Sequence, residues 1–297
     1  MQKYASLAGF TLLCLIWSST WLFIKLGLET MPPFFSAGVR FIIASLGLFL
    51  FAYRLKLKIP SDLKSHLFFI YFSLSIFTFS YGLIYWGEQY INSGLTSVLF
   101  AVMPFYTAIF SIKLLPSEKI TIRKVMGIII GISGVAIIFI DQLIIEHPLA
   151  LYGMIAALIS PAFSAYGSIL GKKATHRFHP VIINILPLLY AGIIFLIIAI
   201  FTEPVSQIHF TFMSYFSLLY LSLVGTALAF AVYFWLLKNT SVLLMSSITF
   251  ITPPLALIWG WLTLDELITW KLFIGMIVVF CGIYFVRDPV KYNPVKI

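Results

Sequence analysis

YFSLSIFTFSYGLIYW, residues 71–86, returns as YLSLVGTALAFAVYFW at residues 220–235. At this offset of 149 residues Tyr71, Ser73, Leu74 and Trp86 coincide with Tyr220, Ser222, Leu223 and Trp235. Ser97 likewise meets Ser246, and Pro104 meets Pro253. After a one-residue gap, EKITIRKVMGIIIGISG (118–134) aligns with ELITWKLFIGMIVVFCG (266–282), with Glu118/Glu266, Thr121/Thr269, Gly127/Gly275 and Gly134/Gly282 among the identities. Self-similarity at a fixed offset means one structural unit used twice. Both copies are apolar along most of their length, so the unit belongs in a bilayer.

Composition points the same way. Of 297 residues 61% are hydrophobic and 10% charged, with a mean hydropathy of +1.06. Soluble domains carry about 25% charged residues, and a surface this poor in charge cannot face water. Apolar runs of roughly 20 residues, the length that crosses a bilayer as a helix, recur from end to end. The ten runs lie at roughly 4–26, 33–53, 66–87, 91–113, 123–140, 149–171, 180–201, 211–237, 241–263 and 270–287. The expected fold is an all-α integral membrane protein of ten transmembrane helices, built as two inverted five-helix repeats over 1–141 and 147–288. The odd number of spans per unit forces the second copy to enter the membrane upside down.

Charge placement orients the chain. With the N-terminus in the cytoplasm, all but Lys25, Arg40 and Lys271 of the 19 Lys and Arg residues fall on the inner side. That bias predicts both termini cytoplasmic in a multi-pass cell (inner) membrane protein. The net charge of +9 is therefore a topology signal, not a nucleic-acid-binding patch. Lys3 and the run after it read as a retained first span, because a second span follows with no cleavage site between. Asn239-Thr240-Ser241 is a glycosylation sequon on the cytoplasmic side, hence inert. Cys14 and Cys281 read as small buried apolar residues.

Several stretches resemble EamA-type proteins of the drug/metabolite transporter superfamily. They are WSSTWLFIKLGLETMPPFFSAGVRF (17–41) and the paired SEKITIRKVMGIIIGISGVAII and DELITWKLFIGMIVVFCGIYFV. The chain differs from the family pattern at Ser18, where Gly commonly follows the Trp. It differs again at Ser117 and Asp265, which stand where Gly usually precedes the Glu. The resemblance implies ten helices, cytoplasmic termini and export of amino acids or related metabolites. It also implies a central cavity bounded by spans one, three, four, six, eight and nine.

Polar residues on those spans are the candidate substrate contacts. Thr78, Tyr81 and Tyr85 follow i, i+3, i+7 on span three; Ser160, Ser164 and Ser168 follow i, i+4, i+8 on span six; Ser246, Thr249 and Thr252 lead into Pro253 on span nine. Ser97 precedes Pro104 in the same way. Trp17 is followed by Ser18, Ser19 and Thr20, which cannot all face one pocket at 100° per residue. One or two would bond back to the preceding turn, leaving Ser18 or Ser19 for the cavity. Pro104 and Pro253, paired by the repeat near mid-span, are candidate hinges. Aromatic rings beside small hydroxyls suit a solute with an apolar part and neutral hydrogen-bonding groups.

No Asp or Glu falls in mid-span; Glu88, Glu118, Asp141, Asp265 and Glu266 lie near the ends. This argues against a central proton carrier and favours uniport, exchange, or coupling through an edge group such as Glu88. Arg40 is read as snorkelling outward, or as a contact for a substrate carboxylate. Gly127-x-x-x-Gly131 marks close helix packing, within the bundle or between two copies in a homodimer. His176-x-x-His179 lies in a basic turn and reads as solvated loop, not a metal site. The sequence carries no phosphate loop, nucleophile elbow or acidic cluster, so the expectation is a transporter without cofactor or metal. The partners expected are a small-molecule substrate and the lipid bilayer. An intramembrane lipid enzyme would need paired Asp or His residues in membrane-face loops, and a non-transporting scaffold would need a protein partner.

Overall fold

A computed structural model describes residues 2–114, 121–142, 147–204, 206 and 208–286. Ser117, Glu118, Lys119, Arg287, Lys291 and Lys296 lie outside the described residues, as does the side chain of Asp141. The described residues are helical throughout, with no strand. In chain order they form α1 (Gln2–Leu28), α2 (Pro33–Arg54), α3 (Leu63–Gly87), α4 (Ser93–Phe100 and Met103–Leu114) and α5 (Ile122–Gln142). There follow α6 (Ala150–Ala174), α7 (Ile182–Thr202), α8 (Phe212–Asn239), α9 (Val242–Ser246, then Thr252–Leu264) and α10 (Trp270–Val286). Eight of these are long and apolar enough to cross a membrane. The apolar parts of α5 and α10, Val125–Ile138 and Trp270–Phe285, are shorter.

Packing follows the sequence repeat. Helix α1 packs on α8 and α9, while α6 packs on α3 and α4; α2 meets α7, and α5 meets α10. Moving every helix five places along the chain reproduces this set of pairs. The two halves interdigitate around a shared interior, in which Phe41, Phe72 and Phe77 from one half touch Phe195, Phe234 and Phe230 from the other. Leu46, Leu50, Ile197, Ile200 and Phe201 instead point outward and are exposed, as a lipid-facing surface requires. Cys14 is buried as expected, but Cys281 is exposed on that outer face.

The tightest crossing is α5 against α10. A Cβ on Gly134 would stand 2.7 Å from both the Gly275 carbonyl and the Val279 amide, and one on Gly282 would stand 2.5 Å from the Gly127 carbonyl. Among apolar tails no hydrophobic force drives helices together, so close backbone contact supplies the attraction. Gly127-x-x-x-Gly131 thus packs within the chain.

Two local features depart from uniform α-helix. Helix α3 winds as π-helix over Leu74–Phe79, and α8 does so over Tyr220–Leu228, at overlapping repeat positions. Helices α4 and α9 are broken instead of merely kinked. Pro104 and Pro253 each stand second in the downstream segment, after breaks at Ala101-Val102 and Ser247–Ile251. There the missing proline N–H would have had no helical partner anyway.

Charged side chains close helix ends. Glu203 accepts from the amides of Phe34 (2.7 Å) and Phe35 (2.8 Å) at the start of α2. Glu266 accepts from Ser93 (2.7 Å) and Gly94 (3.0 Å) at the start of α4. Asp265 ends α9 in the left-handed conformation, φ 52° and ψ 29°. This explains why glycine suits that position and how the chain turns Glu266 back toward α4. Lys25 donates to the carbonyls of Glu88 (2.7 Å) and Ile91 (2.9 Å) just past α3. Lys172 does the same for α8, donating to Leu237 (2.6 Å), Lys238 (3.0 Å) and Thr240 (2.8 Å). Both lysines complement the negative end of a helix dipole.

Candidate functional site

A cavity of about 90 Å³ lies between α1, α2, α3, α4, α6, α8 and α9. A single water needs about 10–15 Å³, so this space seats several waters or one small solute. Six of its seven helices are those implied by the sequence resemblance; α2 is the addition, through Arg40.

Arg40 is turned inward, not toward the interface, and is 1% exposed. Its Nε donates to Thr226 Oγ1 at 2.8 Å and its Nη1 to Tyr85 Oη at 3.1 Å. The guanidinium carbon stands over the rings of Tyr81, Phe41 and Tyr85 at 5.1, 5.7 and 5.9 Å, an arrangement that favours a cation. Gly225 lets α8 approach α1 beside it, because a Cβ there would lie 2.9 Å from Thr20 Cγ2. Among the described residues the guanidinium's hydrogen-bond partners are two neutral hydroxyls, and no carboxylate bonds to it at the cavity wall.

The anticipated polar residues divide. Trp17, Tyr81, Ser164 and Thr249 line the cavity, together with Ser168 and Thr252. Ser18 and Ser19 do not reach it. Ser18 donates to Leu15 O (2.9 Å) and Ser19 to Ile16 O (2.8 Å), while Ser19 Oγ accepts from Tyr220 Oη at 2.6 Å. Thr20 also bonds back, to Trp17 O at 2.9 Å, yet it is the one of the three in the wall. Ser97 bonds to Gly94 O at 2.7 Å and lies outside the wall, as does the buried Ser246. Ser160 is consumed by Ser80, donating to its carbonyl (2.9 Å) and meeting its hydroxyl (2.9 Å). Tyr85 stands behind Arg40, and Thr78 is buried in the π segment with no partner for its hydroxyl among the described residues. Pro104 and Pro253 border the cavity only through neighbours, Met103 and Thr252.

On α3 the wall is formed by Ile76, Ser80, Tyr81 and Ile84 instead of the Thr78–Tyr81–Tyr85 row. The wider i→i+5 turns of Leu74–Phe79 rotate the face away from a count of 3.6 residues per turn. Sequence reasoning also missed Trp21, whose indole N–H is buried without a partner among the described residues, and Phe230 and Tyr233. The hydroxyl of Tyr233 donates to Ser168 Oγ at 2.9 Å, and Ser80 Oγ lies 2.7 Å from Ser164 Oγ. The wall therefore offers one buried cation, one unpaired indole N–H, a band of hydroxyls and several aromatic faces.

The model of the EamA-like transporter family matches residues 5–140 and again 151–287. The chain belongs to the EamA-like transporter family. Among relatives of this transporter is YoaV of Bacillus subtilis (strain 168), an uncharacterised transporter 31% identical over 279 residues, covering 93% of this chain and 94% of that one. Another is YedA of Escherichia coli (strain K12), an uncharacterised inner membrane transporter 29% identical over 253 residues, covering 84% and 79%. PagO of Salmonella typhimurium is 28% identical over 256 residues, covering 86% and 84%. A solved crystal structure superposes with a TM-score of 0.69 over 95% of this chain and 97% of that chain. At 17% identity that likeness speaks for the fold alone. The EamA-like chain is thus a membrane transporter, with an all-helical fold that fits the family's two-repeat layout.

Proposed function

We propose that this EamA-like transporter exports an amino acid or a closely related metabolite across the inner membrane by alternating access. In this reading ten helices cross the bilayer as two inverted repeats, residues 1–141 and 147–288, with both termini in the cytoplasm. The observation that carries it is the buried guanidinium of Arg40, bonded to no carboxylate among the described residues, at a cavity lined by Trp17, Tyr81, Phe230 and Tyr233. A carboxylate is the natural complement of a desolvated guanidinium, and aromatic walls suit an apolar body. Thr20, Trp21, Ser164, Ser168, Thr249 and Thr252 supply the remaining polar contacts.

Support for the rocking motion comes from the exchangeable helix pairs and from the two breaks ahead of Pro104 and Pro253. Breaks at corresponding positions of two repeats are typical of transporter binding sites, and these are the proposed hinges. The charge bias of the short connections supports the orientation. Purified protein in liposomes, tested for counterflow of labelled amino acids, checks the proposal. Counterflow of at least one amino acid is expected; a uniform lack of uptake refutes the substrate assignment.

A further inference from the structure

Glu88 lies one residue past the end of α3 and is fully buried, at 0% exposure. Neither carboxylate oxygen meets a hydrogen-bond donor among the described residues, so the charged form has lost its water without replacement, an expensive state. The groups around it give no direct partner. Lys25 of α1 spends its ammonium on the carbonyls of Glu88 and Ile91. Glu266, which follows α9, is occupied by the amides of Ser93 and Gly94. Arg40 of α2 is held by Thr226 and by Tyr85, one turn before Glu88. From α6 the neighbours of Gly87 are Gly153 and Ala156, which carry no charge. Burial pushes the Glu88 carboxyl well above the usual carboxylate range; Lys25 opposes the rise, Glu266 adds to it and Arg40 opposes it.

We propose that Glu88 is the proton-binding group of this transporter, protonated when occluded as here and ionised when its end of the cavity opens to water. The inference rests on the transport reading above and adds a pH-controlled latch to it. The cycle follows from the packing. Opening that frees Lys25 from the carbonyls of Glu88 and Ile91 admits water to the carboxyl. Solvated, the acid gives its proton to that water, and the carboxylate competes with the substrate's negative group for the field of Arg40. Closure requires a proton to be taken up again before the group can be buried. Release and uptake take place at the same opening, so protons gate that opening without crossing the membrane: acid on that side favours the closed form and base the open one.

Two measurements test it. An infrared pH titration of the purified protein should show a protonated-carboxyl band near neutral pH that is missing from Glu88→Gln. The absence of such a band in the wild type, or its survival in the variant, overturns the proposal without touching the transport reading. In liposomes, wild type and variants are compared in counterflow of a labelled mixture of the protein amino acids, with equal pH on both sides stepped through a series. The expected result is counterflow that slows at acid pH in the wild type, a pH dependence lost in Glu88→Gln and kept with a shifted midpoint in Glu88→Asp. Equal pH dependence in wild type and Glu88→Gln overturns the gating role. No counterflow in the wild type refutes the amino-acid reading, and the infrared band then decides Glu88 by itself.

Discussion

Thr226 Oγ1 accepts the Nε–H of Arg40 at 2.8 Å while giving its own proton to the carbonyl of Leu221, also at 2.8 Å. The second bond spans five residues, the spacing of a π turn, so the wide turn of α8 aims the hydroxyl's lone pair at the guanidinium. A helix of regular pitch would bond one residue nearer and rotate the group away. The site's single cation is thus positioned by a backbone irregularity in the opposite half of the chain.

Thr226→Val removes that acceptor and leaves the shape nearly unchanged. A hydrogen bond to a charged group contributes about 1.5–3 kcal/mol, so the thermal midpoint in detergent should fall. Counterflow of a carboxylate-bearing substrate should weaken along with it. Arg40→Gln should abolish counterflow, since the neutral amide cannot compensate a buried negative charge. Arg40→Lys should not restore it, because an ammonium lacks the planar fork that serves Thr226 and Tyr85 together.

The three hydroxyls after Trp17 should separate cleanly. Ser18→Ala removes a bond to the preceding turn and should leave the Michaelis constant for uptake near the wild-type value. Thr20→Val changes the cavity wall and should raise that constant. An equal effect of both substitutions would contradict the placement of Ser18 outside the wall.

The α5–α10 crossing should tolerate nothing larger than glycine. A methyl on Gly134 meets backbone atoms at 2.7 Å, which no rotamer change can relieve. Gly134→Ala should lower the thermal midpoint, with overpacking of this kind costing about 1–3 kcal/mol. Gly9→Ala is the control, since its Cβ would meet only side chains at 3.3 Å or more. Size-exclusion profiles and melting curves of the two variants check the contrast.

Lys25 and Lys172 make matching contacts at the ends of α3 and α8, and their loss should act on stability before recognition. Lys25→Met or Lys172→Met leaves two or more helix-end carbonyls without that donor. Each should lower the melting temperature while keeping the substrate ranking in competition assays. A changed ranking would place these lysines in the binding site itself.

Much of this was readable in the residue order, for identifiable reasons. Runs such as 180–201 are long and uncharged, and 33–53 carries a single charge at Arg40, so burial in lipid dictates helix there, and the pairing of Pro104 with Pro253 marked the broken segments. Glu266 was read only as a charge near a span end; its role at the start of α4 follows from the turn at Asp265. For Arg40 the sequence left snorkelling beside a substrate-carboxylate contact, and its burial at the cavity removes the first, although a lone cation in an apolar run is most cheaply placed by snorkelling. Nothing local shows that Thr226, 186 positions away, will receive it. Of the Thr78–Tyr81–Tyr85 row only Tyr81 reaches the wall, because the count assumed regular pitch through a segment that winds as π-helix.

Apolar length, repeated motif and charge bias belong to the chain itself, because each is a tally of side-chain transfer energies along one dimension. They fix a helical membrane protein with a duplicated plan before any contact forms. Which hydroxyl turns toward the cavity, which cation is stripped of water and which carboxyl is left without a donor depend on how helices from the two halves meet. Those are properties of three-dimensional packing, where a single widened turn or a missing Cβ moves a side chain from one environment to another.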